Sequence, residues 1–153
     1  MKFIRLLPTL DTVQIRSEKL KSVDSVVGQI AGNKDKYQAA EAASGVPWFF
    51  IGCLHNMESS LNFSGHLHNG NPLTARTKDV PKGRPKTGNP PFTWAESAKD
   101  VLNEKMNQPP WRSVSNNWGI TALLYRAEIF NGMGYRTRNT GVNTPYLWSF
   151  TNH

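Results

Sequence analysis

The sequence holds little cysteine, little acid and no long apolar run. Cys53 is the only cysteine, which excludes an internal disulfide, and we expect its thiol to be buried as a small hydrophobic group. Aspartate and glutamate number 11 against 18 lysines and arginines, so the formal charge is +7, which favours polyanionic partners. Pro8 and Asp11 interrupt a short apolar start, so we expect neither a signal peptide nor stable membrane insertion.

The composition is that of a folded globule. Hydrophobic residues make up 38% of the 153 residues and aromatic residues 10%, including five tryptophans. That is enough apolar material for one domain with its own core. We therefore expect a single domain over residues 1–153, a monomer, and synthesis in a reducing cytoplasm.

The most informative stretch is residues 46–63, an apolar run that ends near Glu58. Pro47 suits the first position of a helix, and Gly52 would let another segment approach closely. Burial disfavours the charged form of a carboxyl, so Glu58 at the dry end of this helix is expected to have a raised pKa. Such a group donates protons near neutral pH. The alternative is a core helix that ends in an ordinary solvated glutamate, with His55 packed inside the protein.

The flanking segments predict a mainly α fold with a small β component. Residues 1–36 predict an N-terminal helical arm, and residues 35–44 predict a helix stopped by Gly45. Residues 61–92 hold much of the glycine, proline and asparagine. They predict a hairpin that turns at Asn69-Gly70, with a strand over residues 73–80, followed by a long loop.

The C-terminal half predicts further helices. Thr93 and Glu96 have the spacing of a capping box, which predicts a helix over residues 94–106. Asn116 or Asn117 would cap a helix from Trp118 to Phe130. A basic loop is expected over residues 134–141, and Thr144-Pro145 would start a final helical turn.

Several motifs resemble those of the lysozyme-like superfamily, in particular goose-type lysozymes and soluble lytic transglycosylases. Glu58-Ser-Ser-Leu-Asn-Phe63 is similar to their Glu-Ser-x-x-Asn pattern, and Phe130-Asn-Gly is similar to their Tyr-Asn-x-Gly motif. Segments 66–74, 83–98, 125–136 and 143–150 resemble phage and bacterial lysozyme-family proteins of the endolysin type. The resemblance covers most of the chain from Gly45 onward and leaves residues 1–44 uncovered.

The resemblance implies a lysozyme-like helical bundle, with a small hairpin and a long loop lining an active-site cleft. It also implies cleavage of the β-1,4 bond between N-acetylmuramic acid and N-acetylglucosamine, with Glu58 as the general acid. Asn71 stands where relatives often have aspartate, so a carboxylate base is missing there. Thr74 and Thr77 could then position a water, and Asp79 is a less favoured substitute.

Other residues are predicted to support or bind the glycan. Ser59 would orient Glu58, while Glu96 and Glu128 would support the site or serve the fold alone. We expect no cofactor, and the His-x-His pair lacks the further ligands that zinc needs. The residues expected to bind substrate are Ser59, His66, His68, Tyr125, Asn131, Tyr135 and Tyr146.

Three alternatives stay open at this point. A lytic transglycosylase needs only one glutamate, because the sugar itself attacks. A non-catalytic peptidoglycan-binding module would keep the fold without the chemistry. A nucleic-acid-binding domain is disfavoured, because no recognised motif is present and the basic residues lie in Gly/Pro-rich loops. We expect glycan strands as the partner and the bacterial cell wall as the place of action.

Overall fold

The structure is a computed structural model that describes residues 7–114, 116–132, 134–137 and 143–153. It is mainly helical, which confirms the expected class. A 3-10 turn covers Ser17–Lys19. The helices are α1 (Leu7–Asp11), α2 (Leu20–Gly32), α3 (Lys34–Ser44), α4 (Trp48–Ser59), α5 (Trp94–Asn107), α6 (Pro109–Arg112), α7 (Ile120–Phe130), α8 (Gly134–Thr137) and α9 (Pro145–Trp148).

The chain divides into two compact units: a central unit of residues 26–108 and a terminal unit of residues 1–25 and 109–153. The expectation of a single domain stays a prediction. In the central unit α3 contacts both α4 and α5, and the buried Tyr37 of α3 lies at the centre of that packing. In the terminal unit α7 contacts α6 and α9. No helix within the described residues combines the length and the apolar character needed to cross a bilayer.

Helix α4 carries Glu58 in its last turn, as predicted. Pro47 is its N-cap, one residue before the predicted place. Gly52 does permit a close approach, because an added Cβ there would collide with the side chain of Ile30. The prediction for Cys53 is wrong: its side chain is exposed. It lies between the buried Gly52 and Leu54, so its exposure reflects the direction it faces on the helix rather than its polarity.

The predicted hairpin is not confirmed. Within residues 61–92 the structure contains one isolated antiparallel bridge, between Gly65 and Pro72, and no named strand. Proline cannot donate to a strand ladder, and this segment is rich in proline. Side-chain oxygens also take up main-chain N–H groups here, as Asn71 does for Lys78 and Asp79. The segment is therefore an irregular loop held by turns.

Local signals fixed the ends of two helices. Gly45 ends α3 at φ +74°, the left-handed conformation that glycine adopts at low cost. Thr93 and Glu96 form the predicted capping box, and α5 then runs to Asn107, one residue beyond the predicted end. Both features depend on a few neighbouring residues, which is why the sequence reveals them.

The start of α7 was predicted two residues too early. Gly119 is its N-cap and Ile120 its first residue. The Asn117 side chain instead accepts the N–H of Gly119, two residues further on, at 2.8 Å. This bond forms an Asx-turn and does not cap the helix. Arg126 is buried and stacks over Trp118, 3.8 Å from its ring centre.

The N-terminal and C-terminal segments differ in part from expectation. The described part of the N-terminal arm, residues 7–36, is mainly helical, although Ile30 is the only buried residue that α2 contributes. Thr144 caps α9 as predicted. The first part of the expected basic loop is α8, and the rest of that loop, residues 138–141, lies outside the described residues.

Candidate functional site

Glu58 lies where a loop of the same unit meets the end of α4. Its side chain is half-buried, and the preceding turns of α4 contribute buried Ile51, Leu54 and His55 to the core. Gly70 sits directly against its main chain, because an added Cβ at Gly70 would lie 2.7 Å from the Glu58 carbonyl oxygen. Gly70 also has φ +74°. The loop thus reaches Glu58 through a glycine whose conformation and lack of a side chain are both needed.

A turn at residues 66–71 brings Asn71 beside this contact. The His66 N–H donates to the Asn71 carbonyl at 2.7 Å, and the Gly70 N–H donates to the His66 carbonyl at 2.8 Å. These two main-chain bonds close the turn on itself. Asn71 therefore directly follows Gly70, the residue that touches the Glu58 main chain.

The side chain of Asn71 is engaged on both sides. Its Oδ1 accepts the N–H groups of Lys78 at 2.8 Å and Asp79 at 3.1 Å. Its Nδ2 donates to Asp79 Oδ2 at 2.8 Å. Asn69 adds a bond from its Nδ2 to the Asp79 carbonyl at 3.1 Å. Asp79 is thus an exposed carboxylate that the Asn69–Asn71 turn holds in place.

The two threonines predicted to position a water differ in their surroundings. Thr74 is exposed and stays a candidate. Thr77 is buried, its hydroxyl donates to the Pro81 carbonyl, and the hydroxyl accepts the Arg84 N–H at 2.9 Å. Because its only proton is committed inside the loop, the geometry does not support the predicted role of Thr77.

His66 and His68 do not face a substrate groove, contrary to the prediction. Both rings are buried, and all four ring nitrogens have partners within the protein. His66 contacts the Ala75 carbonyl at 2.8 Å through Nε2 and Ser97 Oγ at 3.0 Å through Nδ1. His68 contacts Ser97 Oγ at 3.1 Å through Nδ1 and Asp100 Oδ2 at 2.9 Å through Nε2.

His55, one turn before Glu58, is packed among aromatic rings as expected. Its Nδ1 lies 2.9 Å from the Tyr37 hydroxyl, and its Nε2 accepts the indole N–H of Trp94 at 3.1 Å. Phe63 packs on the same ring at 4.6 Å between centres. Burial lowers the pKa of His55 to about 4 and raises the pKa of Tyr37 to about 12, so both groups are neutral at pH 7.

Ser59 follows Glu58, and its hydroxyl donates to the His55 carbonyl at 3.3 Å. That bond completes the last turn of α4, and the proposed orientation of Glu58 by Ser59 stays a prediction. Lys105 of α5 lies within electrostatic reach of Glu58. Burial lowers the pKa of Lys105, while the charges of Glu104 and Glu58 oppose that change.

Polar residues on α5, which sequence reasoning missed, form a second cluster in the central unit. Arg84 Nε lies 2.9 Å from Asp100 Oδ2, and Arg84 also pairs with Glu104. The Lys86 N–H donates to Asp100 Oδ1 at 3.2 Å. Ser97 and Asp100 are three residues apart and so share a helix face. That spacing, beside the His-x-His pair, was the available signal.

A groove of about 580 Å³ runs between residues 84–88 and α5. Glu96 lies on its wall and forms the predicted capping box, in which the Thr93 N–H and hydroxyl lower its pKa. Glu58 is not one of the lining residues. The groove offers both charges and several amides, from Arg84, Glu96, Lys99, Asp100, Asn103, Glu104 and Asn107.

The remaining predicted residues belong to the terminal unit. Asn131 ends α7, and its Nδ2 donates to Thr144 Oγ1 at 3.0 Å. Glu128 is buried, Tyr125 and Tyr146 are half-buried, and Tyr135 is 39% exposed. Their roles toward a glycan stay predictions.

A metal site would need several histidine, cysteine or acidic groups close together. The described residues contain no group of three or more such side chains that could hold a metal ion.

Comparisons with protein-family models, with curated proteins and with solved structures give no match to this chain.

Proposed function

We propose that this protein is a peptidoglycan glycosidase with a lysozyme-like fold, and that Glu58 is its general acid. The observation that carries the proposal is the contact of Gly70 with the Glu58 main chain. That contact brings the turn holding Asn71 and Asp79 to the helix end that presents Glu58. Four segments that resemble lysozyme-family proteins support the same assignment.

Glu58 suits the role of a proton donor to the glycosidic oxygen. It is half-buried at the end of a helix whose other turns fill the core, so its carboxyl group lies at the edge of the core and within reach of a bound glycan. Cleavage of the protonated glycosidic bond passes through an oxocarbenium-like transition state. A second group must then supply a nucleophile from the other side of the ring.

We assign that second role to Asp79 in place of Asn71. An amide cannot take up a proton, and both ends of the Asn71 amide already have partners. Asp79 is an exposed carboxylate with one oxygen bound to Asn71 Nδ2. Its other oxygen can accept a proton from an attacking water, as the base of an inverting glycosidase does.

A lytic transglycosylase is the second candidate, and the amide at position 71 favours it. In that reaction Glu58 first protonates the glycosidic oxygen and then, as a carboxylate, accepts the proton of the attacking sugar hydroxyl. No second carboxylate is needed. Under this reading Asp79 would serve only to order the loop.

We further propose that the protein is made in the cytoplasm and acts on glycan strands of the bacterial wall. Its charge of +7 would draw it to the anionic envelope, because long-range electrostatic attraction raises the rate of encounter.

A digest of purified peptidoglycan, with the released muropeptides identified by mass, tests the proposal. Wild type should release fragments, and Glu58→Gln should not. Glu41→Gln is the matched control, because Glu41 is also half-buried in the last turns of a helix. Binding of the wall without release by wild type would overturn the enzyme assignment and leave a wall-binding module.

The products and an Asp79→Asn variant separate the two reactions. Hydrated products, lost in Asp79→Asn and kept in Asp24→Asn, would support Asp79 as the base; Asp24 is likewise exposed. Products lighter by one water, formed equally well by Asp79→Asn, would establish the transglycosylase instead.

A further inference from the structure

Ser97 joins two buried histidines through one hydroxyl group. Its Oγ lies 3.0 Å from His66 Nδ1 and 3.1 Å from His68 Nδ1, and it accepts the Leu67 N–H at 3.0 Å. Ser97 itself is fully buried. A single side chain of α5 therefore holds three consecutive residues of the 66–71 turn.

The partners of the two Nε2 atoms show that both histidines carry a proton on Nε2. The Ala75 carbonyl can only accept, so His66 carries a proton on Nε2. Asp100 is flanked by Arg84 and accepts the Lys86 N–H, so His68 Nε2 donates to it. Burial lowers the pKa of His68 to about 4, so its ring is neutral at pH 7 and its Nδ1 accepts the Ser97 hydroxyl proton. Ser97 Oγ is also the partner of His66 Nδ1.

Ser97, His68 and Asp100 have the residue types of a catalytic triad, but they do not form one. The Ser97 oxygen is buried and already accepts a main-chain N–H. A nucleophile must reach its substrate, and this hydroxyl is enclosed by the turn it holds. The role of the group must be exerted through that turn.

The turn leads directly to the candidate site. The His66 N–H is bonded to the Asn71 carbonyl at 2.7 Å, and the Asn71 side chain is bonded to Asp79. Gly70, between them, touches the Glu58 main chain. Displacement of His66 or His68 would therefore move Asn71 and Asp79 together with the glycine that touches the Glu58 main chain.

We propose that Ser97, His68 and Asp100 are positioning residues that hold the 66–71 turn, and through it Asn71 and Asp79, in register with Glu58. The catalytic part of this inference rests on the proposed function, whereas the geometric part does not. Buried hydrogen bonds are costly to leave unmade, so a chain of them can hold a loop in one arrangement.

Amide hydrogen exchange gives a test that needs no catalysis. The N–H groups of Lys78 and Asp79 both donate to Asn71 Oδ1, so their exchange rates report on the turn. Ser97→Ala should speed their exchange by about tenfold, because the lost hydroxyl leaves two buried ring nitrogens and the Leu67 N–H without their partner. Ser44→Ala is the control: that hydroxyl also bonds inside the central unit, but to the Ala40 carbonyl of its own helix.

The kinetic counterpart is a selective loss of kcat. Ser97→Ala should lower kcat on peptidoglycan by about tenfold and change KM by less than about twofold, because alignment and not binding is impaired. Ser97→Cys, which keeps a weak donor, should recover part of the loss. Asp100→Asn gives an independent variant, should Ser97→Ala fail to fold, and should show the same two effects.

Unchanged exchange at Lys78 and Asp79 in folded Ser97→Ala and Asp100→Asn would overturn the positioning role. Faster exchange with unchanged kcat would overturn its catalytic part. If wild type releases no muropeptides, the proposed function fails, and the exchange result alone then decides whether the chain holds the turn.

Discussion

The amide of Asn71 can donate a hydrogen bond to the neighbouring Asp79, whereas a carboxylate at position 71 would repel it. It donates to Asp79 Oδ2 at 2.8 Å, and an aspartate at position 71 would place a second negative charge at that contact. Two carboxylates at such a distance cannot both ionise easily. The amide avoids that repulsion and holds Asp79 in place through its hydrogen bond.

We therefore predict that Asn71→Asp lowers activity, although it introduces the residue that lysozyme-family relatives often have. The lost donor and the charge repulsion at this exposed contact should also cost about 0.5–1.5 kcal/mol of unfolding free energy. Urea unfolding and muropeptide release measure the two effects. Higher activity in Asn71→Asp would instead assign the base role to position 71 and remove it from Asp79.

Gly70 and Gly83 offer a matched pair of glycine substitutions. Both have positive φ, +74° and +73°, but an added Cβ at Gly70 meets the Glu58 carbonyl, whereas nothing lies within 4 Å of one at Gly83. Gly83→Ala should cost about 1–2 kcal/mol from backbone strain alone. Gly70→Ala should cost more and should also reduce activity. Equal effects on stability and activity would contradict the contact with Glu58.

Two buried histidines predict an acid-sensitive fold. Burial lowers the pKa of His55 and of His68 to about 4 from 6.5, so the unfolded chain binds these protons more tightly than the folded one. Stability is then fullest above pH 6.5 and falls as the pH drops toward 4. Each histidine accounts for about 3 kcal/mol over that window.

Urea unfolding across that pH range checks the direction. His55→Gln should flatten the dependence, because glutamine does not titrate there, whereas replacement of the exposed His153 should leave it unchanged. A stability that rises toward acid pH would show that these rings are charged in the folded state.

At the scale of the element, α2 and α4 meet through a glycine. Gly52→Ala would normally favour a helix, but its Cβ would collide with Ile30. We predict that Gly52→Ala lowers the melting temperature. Gly28→Ala, on α2 with nothing within 4 Å of the added Cβ, should raise it, since alanine stabilises a helix by about 0.5–1 kcal/mol over glycine. Thermal unfolding followed by circular dichroism measures both variants.

The sequence revealed those elements whose signals are local. The Thr93–Glu96 capping box, the stop at Gly45 and the helix ending near Glu58 each depend on a few adjacent residues. The 61–92 loop depends instead on distant partners. Its turn is held by Ser97 of α5, and no pattern within the loop specifies that bond.

The site was predicted unevenly for the same reason. The end of a periodic helix marked Glu58, but residue type alone suggested that His66 and His68 bind substrate. Their burial follows from bonds to Ser97, Ala75 and Asp100, which only the folded chain brings together. Exposed Cys53 was missed because its neighbours on α4 are buried.

At the scale of the whole molecule, the proposed partner, an anionic cell wall, is opposite in sign to the net charge of the protein. The chain carries 18 basic against 11 acidic residues, and its central unit presents Glu58 beside a loop with a fixed carboxylate. A basic protein that cuts an anionic wall gains from attraction at long range. Nucleic-acid binding alone would gain nothing from the arrangement around Glu58.

The most direct test of this account compares muropeptide release by wild type, Glu58→Gln and Glu41→Gln under identical conditions. We predict a loss of at least about 100-fold in Glu58→Gln, the usual contribution of a general acid, and an unchanged rate in Glu41→Gln. Circular dichroism should show that both variants stay folded. Release by folded Glu58→Gln at the wild-type rate would contradict the central claim that Glu58 is the acid.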